Sequence, residues 1–343
     1  MDLGKGISAR ALALNVIGAV LVLAGIGLMA NTARGLQDYR NAASQHGGEV
    51  MDLGENARPE AGQHGTMARV TGTPRVVEAP RDPDFNLRVN TPVLVRHVEM
   101  FQWREIRVGD SVHYELDWVD HLLDAGHFAD SKGHANPVAF PVDGKQFDAG
   151  LVQLGGFKLD RVLLHAMPGS VQVAPDAAVL PENLAASFSR YQNYLVTSAR
   201  PGDPRLGDVR VSWNEVPLQE LTVVGRINGD RLEAAGDAAD GKGYVVQVGD
   251  VPVLDIFADL PEPPEFVWSW RVLSLLLASL GAFVLISAQR RSDPLLAVGL
   301  GAAVVGVVAS VLWIHAGGSD MSGWLAVMLG GLVLVAWRLK RSR

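Results

Sequence analysis

Hydrophobic residues in this chain follow two patterns: unbroken runs near the ends, and alternation with polar residues between them. Four runs, residues 11–30, 267–288, 295–316 and 323–339, are long enough to cross a hydrocarbon core, which takes roughly 20 residues of helix. Their charged side chains, Arg271 among them, are confined to the ends. A backbone in lipid has no water to satisfy its polar groups, so each run predicts a membrane helix. One such helix lies in the N-terminal part and three lie in the C-terminal part. The first run is longer than the apolar segment of a typical signal peptide, and no small-x-small cleavage site follows it. An uncleaved anchor is expected.

The middle of the chain reads differently. Residues 31–65 are polar with scattered apolar positions and predict a stalk, an outward extension of the first helix, followed by a linker. Residues 67–71, 93–108 and 111–118 alternate and are rich in Val and aromatic residues, with Gly109-Asp110 between the last two. That pairing predicts a β-hairpin. A turn at 155–158 leads into a short predicted helix, 159–166. Further strands are predicted at 188–196, 206–216 and 244–248, and a second hairpin at 221–227 and 231–234 around Asn228-Gly229. Pro261, Pro263 and Pro264 make 261–266 a stiff extended connector. Together these elements predict an α+β domain with antiparallel sheet over 66–260, in one or two lobes, followed by a three-helix membrane bundle over 267–339.

The short flanks orient the helices. Lys5 and Arg10 precede the first, Arg290 and Arg291 separate the second from the third, and Arg338, Lys340, Arg341 and Arg343 close the chain. By the positive-inside rule all three clusters are cytoplasmic, which puts the 1–10 and 340–343 ends inside and the large domain outside. Trp268, Trp270, Trp313 and Trp324 then form an expected aromatic belt at the outer interface. Arg271, Asp293, His315 and Asp320 sit at helix ends, where water can reach them, which argues against an ion path. Seams of small residues (Ser274, Ala278 and Ala282; Ala297 and Gly301; Ala302, Gly306 and Ser310) are expected to pack the last three helices together, with self-association between chains as the alternative.

Charge and composition narrow the partners. The net charge is −7, and residues 31–265 carry 34 acidic against 21 basic side chains. An acidic domain does not neutralise phosphates, so nucleic acid is not an expected partner. The expected partners are the lipid bilayer and other proteins, or further copies of the chain. With no cysteine, the chain has no disulfide, thiolate site or cysteine nucleophile.

Catalytic motifs are sparse: there is no HExxH and no GxSxG. Gly236 to Lys242 fits GxxxxGK, but Gly243 follows where Ser or Thr must hold magnesium, so a loop between strands is expected there. Gly299-x-Gly301 lies inside a membrane run and lacks the third glycine of a dinucleotide fingerprint. The densest group of potential ligands is Asp117, Asp120, His121, Asp124, His127, Asp130 and His134. His121, His127, His134 and Asp124 are the candidate metal donors, although their spacing matches no established motif and a solvated acidic loop is the expectation. Trp103, with Glu99 and Gln102 beside it, and Trp118 lie on the two strands of the first hairpin. They are expected to anchor the sheet, with partner binding as the alternative.

Several stretches resemble the TMEM43 family, also called LUMA. They are Arg96-His97-Val98-Glu99-Met100-Phe101-Gln102-Trp103-Arg104-Glu105, Tyr114-Glu115-Leu116-Asp117-Trp118, Gly133-His134-Ala135-Asn136-Pro137, Leu154-Gly155-Gly156-Phe157 and Gly207-Asp208-Val209-Arg210-Val211-Ser212. The resemblance implies an N-terminal anchor, a large luminal or periplasmic domain and a C-terminal membrane bundle. It makes Glu99, Gln102, Trp103, Trp118, His134, Asn136 and Pro137 candidate interaction residues. Eukaryotic members resemble scaffolds of the endoplasmic reticulum and inner nuclear membrane. The Ala-, Gly- and Arg-rich composition points to a bacterial member, in an inner membrane. The resemblance brings no catalytic residues and no cofactor. The expected function is therefore a non-enzymatic membrane organiser. The alternatives are a metal-dependent enzyme with its site at 117–134, or a sensor or transport-associated subunit.

Overall fold

In the computed structural model, which describes residues 9–175, 180–288, 292–314 and 318–341, the chain forms two units. One is Met1–Ala43 with Phe257–Arg343, and the other is Ser44–Ile256. Lys5, Arg290, Arg291, His315 and Arg343, used above to orient the helices, lie outside the described residues.

Four helices, Ala9–Gln45, Val267–Ala288, Pro294–Leu312 and Gly318–Arg341, are long and apolar enough to cross a membrane. The first has 37 residues and so extends about 56 Å at 1.5 Å per residue. It continues through the polar segment expected to be a stalk. Glycine lets the helices touch. A Cβ on Gly301 would lie 2.6 Å from the Ser279 nitrogen, and one on Gly306 would lie 2.7 Å from the Met328 nitrogen. Ala278 and Ala282 are buried. A Cβ on Gly25 would meet the Ser274 carbonyl at 2.7 Å, and one on Gly281 would meet the Gly18 carbonyl at 2.6 Å. The Ser274–Ala278 seam therefore packs the second helix on the first, in addition to the buried cluster that Ala278 shares with Val305 and Ala309 of the third helix.

Two other expectations for this unit are corrected. Trp313 and Trp324 are buried in the bundle core with Met29, Ala33 and Ala309, and only Trp268 and Trp270 are exposed as a belt requires. Arg271 does not reach water freely: it is 8% exposed and pairs with Asp320 at 2.7 Å. Arg40, on the long first helix, donates to the other oxygen of Asp320, also at 2.7 Å. Asp293 caps the third helix through the Leu296 N–H and accepts a forked pair from Arg338.

The Ser44–Ile256 unit is built on two sheets. Across the first, the strands run Val50–Glu55, Met67–Gly72, Leu221–Asn228, Arg231–Glu233, Phe157–Leu159, Leu151–Leu154 and Arg75–Glu78, and Val245–Val248 also pairs with Leu221–Asn228. Across the second they run Ser189–Tyr191, Tyr194–Val196, Val209–Glu215, Val93–Val108 and Ser111–Val119. Val171–Val173 adds to Val209–Glu215, and Lys145–Asp148 adds to Val93–Val108.

Both predicted hairpins form, with Gly109 and Gly229 at φ of 60° and 62°, where a side chain would be strained. The second sheet is antiparallel throughout, as expected. The first is mixed, because Val50–Glu55 runs parallel to Met67–Gly72, and Phe157–Leu159 runs parallel to Arg231–Glu233. Val50–Glu55 falls at the end of the segment expected to be a stalk. It is an edge strand with an irregular register at Gly54 and no clean alternation. The 159–166 helix is shorter than expected, Arg161–His165, because residues 157–159 join the sheet. The 188–196 strand is in fact a tight hairpin turning at Gln192. The GxxxxGK stretch is a loop, in which Asp240 accepts from the Lys242 and Gly243 N–H groups.

Each sheet has its own core. The first packs Val70, Leu154, Phe157, Leu163, Val223 and Ile227. The second packs Leu94, Val98, Met100, Leu195, Val211 and Trp213. Under the second sheet lies a buried ionic group. Arg96 donates to both oxygens of Asp82 at 2.8 and 3.0 Å, and the Trp213 indole donates to Asp82 at 2.9 Å. Asp82 is fully buried, and pairing on both sides is what makes that tolerable.

Candidate functional site

Strand alternation splits the Val93–Val108 strand into two rows. Leu94, Arg96, Val98, Met100 and Gln102 point into the protein, and His97, Glu99, Phe101 and Trp103 point outward. The register carries the outward row across the sheet. Arg210 lies opposite Glu99, Ser212 opposite His97, and Trp118 opposite Phe101. Further out, Gln172 lies opposite Asn214.

Of these, His97, Glu99, Trp118, Gln172, Ser212 and Asn214, together with Tyr194, line an open groove of about 810 Å³. Arg210 donates a forked pair to Glu99 of this lining, Nε at 2.6 Å and one terminal nitrogen at 2.8 Å. The same guanidinium sits 4.8 Å from the ring centres of both Trp118 and Tyr194. Stacking between two rings fixes the planar head, so the pair presents a rigid, charged feature rather than a mobile one. His97, Ser212 and Asn214 continue the polar surface. At the rim, a hydrogen bond from His121 at 2.8 Å holds the Asp120 carboxyl below its ordinary range.

The 120–137 loop beside the groove is held by two amides. Gln102, fully buried, donates to the His121 carbonyl at 2.9 Å and accepts from the Leu123 N–H at 3.2 Å. Asn136 accepts from the Trp103 N–H and donates to the carbonyls of Trp103 and Leu123. Pro137 lies 3.5 Å from where a Cβ on Gly207 would stand. His134 stacks on Tyr114 at 3.7 Å between ring centres and meets Trp103 edge-on at 4.7 Å. Glu105 accepts from the Ala129 N–H, the Arg107 side chain and the Tyr114 hydroxyl. The bond from Ala129, followed by that from Arg107, lowers its carboxyl pKa.

The predicted site residues therefore divide. Glu99 and Trp118 line the groove. Gln102, Asn136, Pro137 and His134 build the loop, and Trp103 is half-buried between loop and sheet. The candidate metal donors pair off separately: His121 with Asp120, His127 with Asp124 and His134 with Asp130. Among the described residues no group of three His, Cys, Asp or Glu side chains stands close enough to hold a metal ion. His97, Arg210 and Ser212 lie in stretches that carry the sequence resemblance but were not candidate site residues, and neither were Tyr194 and Asn214. The alternation V-R-V-S-W-N-E over Val209–Glu215 places Arg210, Ser212 and Asn214 on one face. Which strand they adjoin is decided by pairing alone.

Residues 100–315 match the sequence pattern of one family, described as Transmembrane protein 43. Among curated proteins the chain is similar to the transmembrane protein 43 homolog of Drosophila melanogaster, at 24% identity over 78% of this chain and 74% of that protein. It is also similar to transmembrane protein 43 of Homo sapiens, at 22% identity over 81% of this chain and 77% of that protein. No solved structure matches it.

Proposed function

The chain belongs to the TMEM43 family, and we propose that it acts as a non-enzymatic membrane scaffold. Its four apolar helices hold it in the bilayer, and the open face of its second sheet recruits a protein partner. The observation that carries this reading is Arg210, which pairs with Glu99 of the groove lining and sits against the rings of Trp118 and Tyr194. Arginine and aromatic side chains, rigid and partly desolvated, are what binding surfaces concentrate. In this reading both chain ends are cytoplasmic, and the Ser44–Ile256 unit lies outside, in the periplasm of a bacterial cell.

Photo-crosslinking in native membranes tests the scaffold. A crosslinking residue at exposed His97 is expected to trap one defined partner, and Arg210→Glu is expected to abolish the adduct. A monomeric protein that yields no adduct, or an adduct indifferent to Arg210→Glu, overturns the reading. Sidedness is tested separately, because the chain has no cysteine of its own. An impermeant maleimide should label Val138→Cys from outside, at a position 93% exposed. The competing metal-dependent enzyme needs a bound metal, which elemental analysis of purified protein detects.

A further inference from the structure

The strand Ser111–Val119 ends the second sheet, and among the described residues no strand pairs with its outer side. It is nine residues long, with an unbroken register against Val93–Val108. The strands that end the two sheets elsewhere are short or irregular. Val50–Glu55 and Arg75–Glu78 each shift register, and Ser189–Tyr191 has three residues. Exposed edges are normally blunted in such ways, or by proline or lysine. Ser111–Val119 contains neither residue and no bulge.

The backbone groups of this edge are open. The N–H and C=O of Phe101 and Trp103 face away from Ser111–Val119, toward Asp208, Gly207 and Asn136. Alternation turns those of Gln102, Arg104 and Ile106 toward it, where the register sets Asp117, Glu115 and His113. The N–H and C=O of Val112, Tyr114 and Leu116 therefore point outward. Among the described residues none of these backbone groups makes a hydrogen bond. At Trp118 the outward N–H is taken by the Asp117 carboxylate at 2.8 Å, which ends the open stretch.

The side chains along the edge form two rows. Val112, Tyr114 and Leu116 stand on one face, and His113, Glu115 and Asp117 on the other. Glu115 is exposed and has no ion pair among the described residues, whereas Asp117 pairs with Arg104. Residues 104–120 carry five acidic and two basic side chains. The edge therefore fits a strand that is apolar on one face and basic on the other. A second copy of the chain would bring the same negative charge to it, and like charges across a strand pair repel.

We propose that Ser111–Val119 captures an extended segment of a partner protein in which Lys or Arg alternates with apolar residues. The segment adds antiparallel, in keeping with every strand pair of this sheet. Its apolar residues lie opposite Val112, Tyr114 and Leu116 and exchange both backbone hydrogen bonds with them. A basic residue lies opposite Glu115. Main-chain bonds supply the affinity, and the alternate side chains supply the specificity. The inference does not rest on the scaffold reading, because Val112, Tyr114, Glu115 and Leu116 lie outside the groove lining.

The test uses the full-length protein in detergent and a fluorescent peptide of alternating lysine and valine, with binding read by anisotropy. The peptide is expected to bind saturably, and a glutamate–valine peptide at least about tenfold more weakly. N-methylation of the valine amides, which face the edge, should weaken binding about tenfold or more. N-methylation of the lysine amides, which face away, should change it less than about twofold. Val112→Pro removes one outward N–H, leaves the ladder to Val93–Val108 intact, and should weaken binding about fivefold. Glu115→Lys keeps the backbone unchanged, should also weaken binding about fivefold, and carries the test should Val112→Pro fail to fold. No saturable binding, equal binding of the glutamate–valine peptide, or equal loss from the two methylation patterns overturns the proposal. So does unchanged binding in Glu115→Lys or in folded Val112→Pro. Dimerisation of the native protein that Val112→Pro abolishes would mark a second copy as the occupant and overturn it as well.

Discussion

The side-chain amide of Asn136 takes the place of a strand beside Trp103. Its oxygen accepts the Trp103 N–H at 2.8 Å, and its nitrogen donates to the Trp103 carbonyl at 2.9 Å. The neighbouring position on the same edge is served by true backbone. The Phe101 N–H reaches the Asp208 carbonyl, and the Phe101 carbonyl receives the Gly207 N–H. Asn136 thus extends the ladder by one step and ties Leu123 to it.

Replacing Asn136 by Asp keeps the acceptor and removes the donor that serves two carbonyls. We expect a loss of about 2 kcal/mol from unsatisfied groups, seen as a fall in Tm of roughly 4–8 °C for a unit of this size. Limited proteolysis should show new cleavage within 120–137. A Tm within 1 °C of the parent would remove the amide from this role.

The Asp82 group should be more sensitive. Asp82→Ala strands the buried Arg96 cation and the Trp213 indole N–H together. Breaking a buried pair by removing one partner costs about 3–5 kcal/mol. Asp84 also accepts from Arg96, but its side chain is half exposed, and Asp84→Ala should cost below about 1 kcal/mol. Urea unfolding followed by tryptophan fluorescence measures both. Equal costs for the two variants would contradict this ranking.

The three candidate histidines should separate. His121 and His127 have exposed side chains, so His121→Ala and His127→Ala should change stability by no more than about 0.5 kcal/mol. His134→Ala loses the contacts with Tyr114 and Trp103 and should cost about 1 kcal/mol. If zinc raises the Tm of the native protein but not that of these variants, the histidines share a metal after all.

Acid should destabilise the Ser44–Ile256 unit in a defined direction. Hydrogen bonds hold the carboxyls of Glu105 (first from Ala129), Asp230 (first from Lys158) and Asp237 (first from Arg226) below their ordinary values. A depressed folded pKa means that the unfolded chain takes up protons first as pH falls. The stabilisation is therefore complete above the unfolded carboxylate range near about 4, and it is lost as pH drops through that range to the folded values. Stability should be flat between pH 7 and 5, then decline. Glu105→Gln should make the decline shallower, and an unchanged acid slope would exclude Glu105 from it.

Much of the fold was legible along the chain, for local reasons. The four membrane runs are legible because lipid imposes one length and one polarity on anything that crosses it. The hairpins at Gly109 and Gly229 are legible because a two-residue turn calls for a positive φ near the residue that supplies it. Val50–Glu55 was not legible, because an edge strand with an irregular register needs no alternation. The Ser189–Tyr191 and Tyr194–Val196 pair read as one strand because its turn carries no glycine. In the site, Glu99 and Trp118 could be singled out, but Arg210, 111 residues beyond Glu99, could not be joined to them.

The sequence by itself determined that the chain is a membrane protein of four helices with a β-rich domain after the first, because hydrophobic period and run length depend on neighbours in sequence. Tertiary structure alone decided the rest. It turned Trp313 and Trp324 inward, and it gathered Arg40, Arg271 and Asp320 from three helices. It set Gln102 and Asn136 to building a loop, and it clamped Arg210 between Trp118 and Tyr194. The physical reason is the same in each case. A buried charge or amide is satisfied by whatever partner the packing brings within 3 Å, and nothing local to the residue says which partner that is.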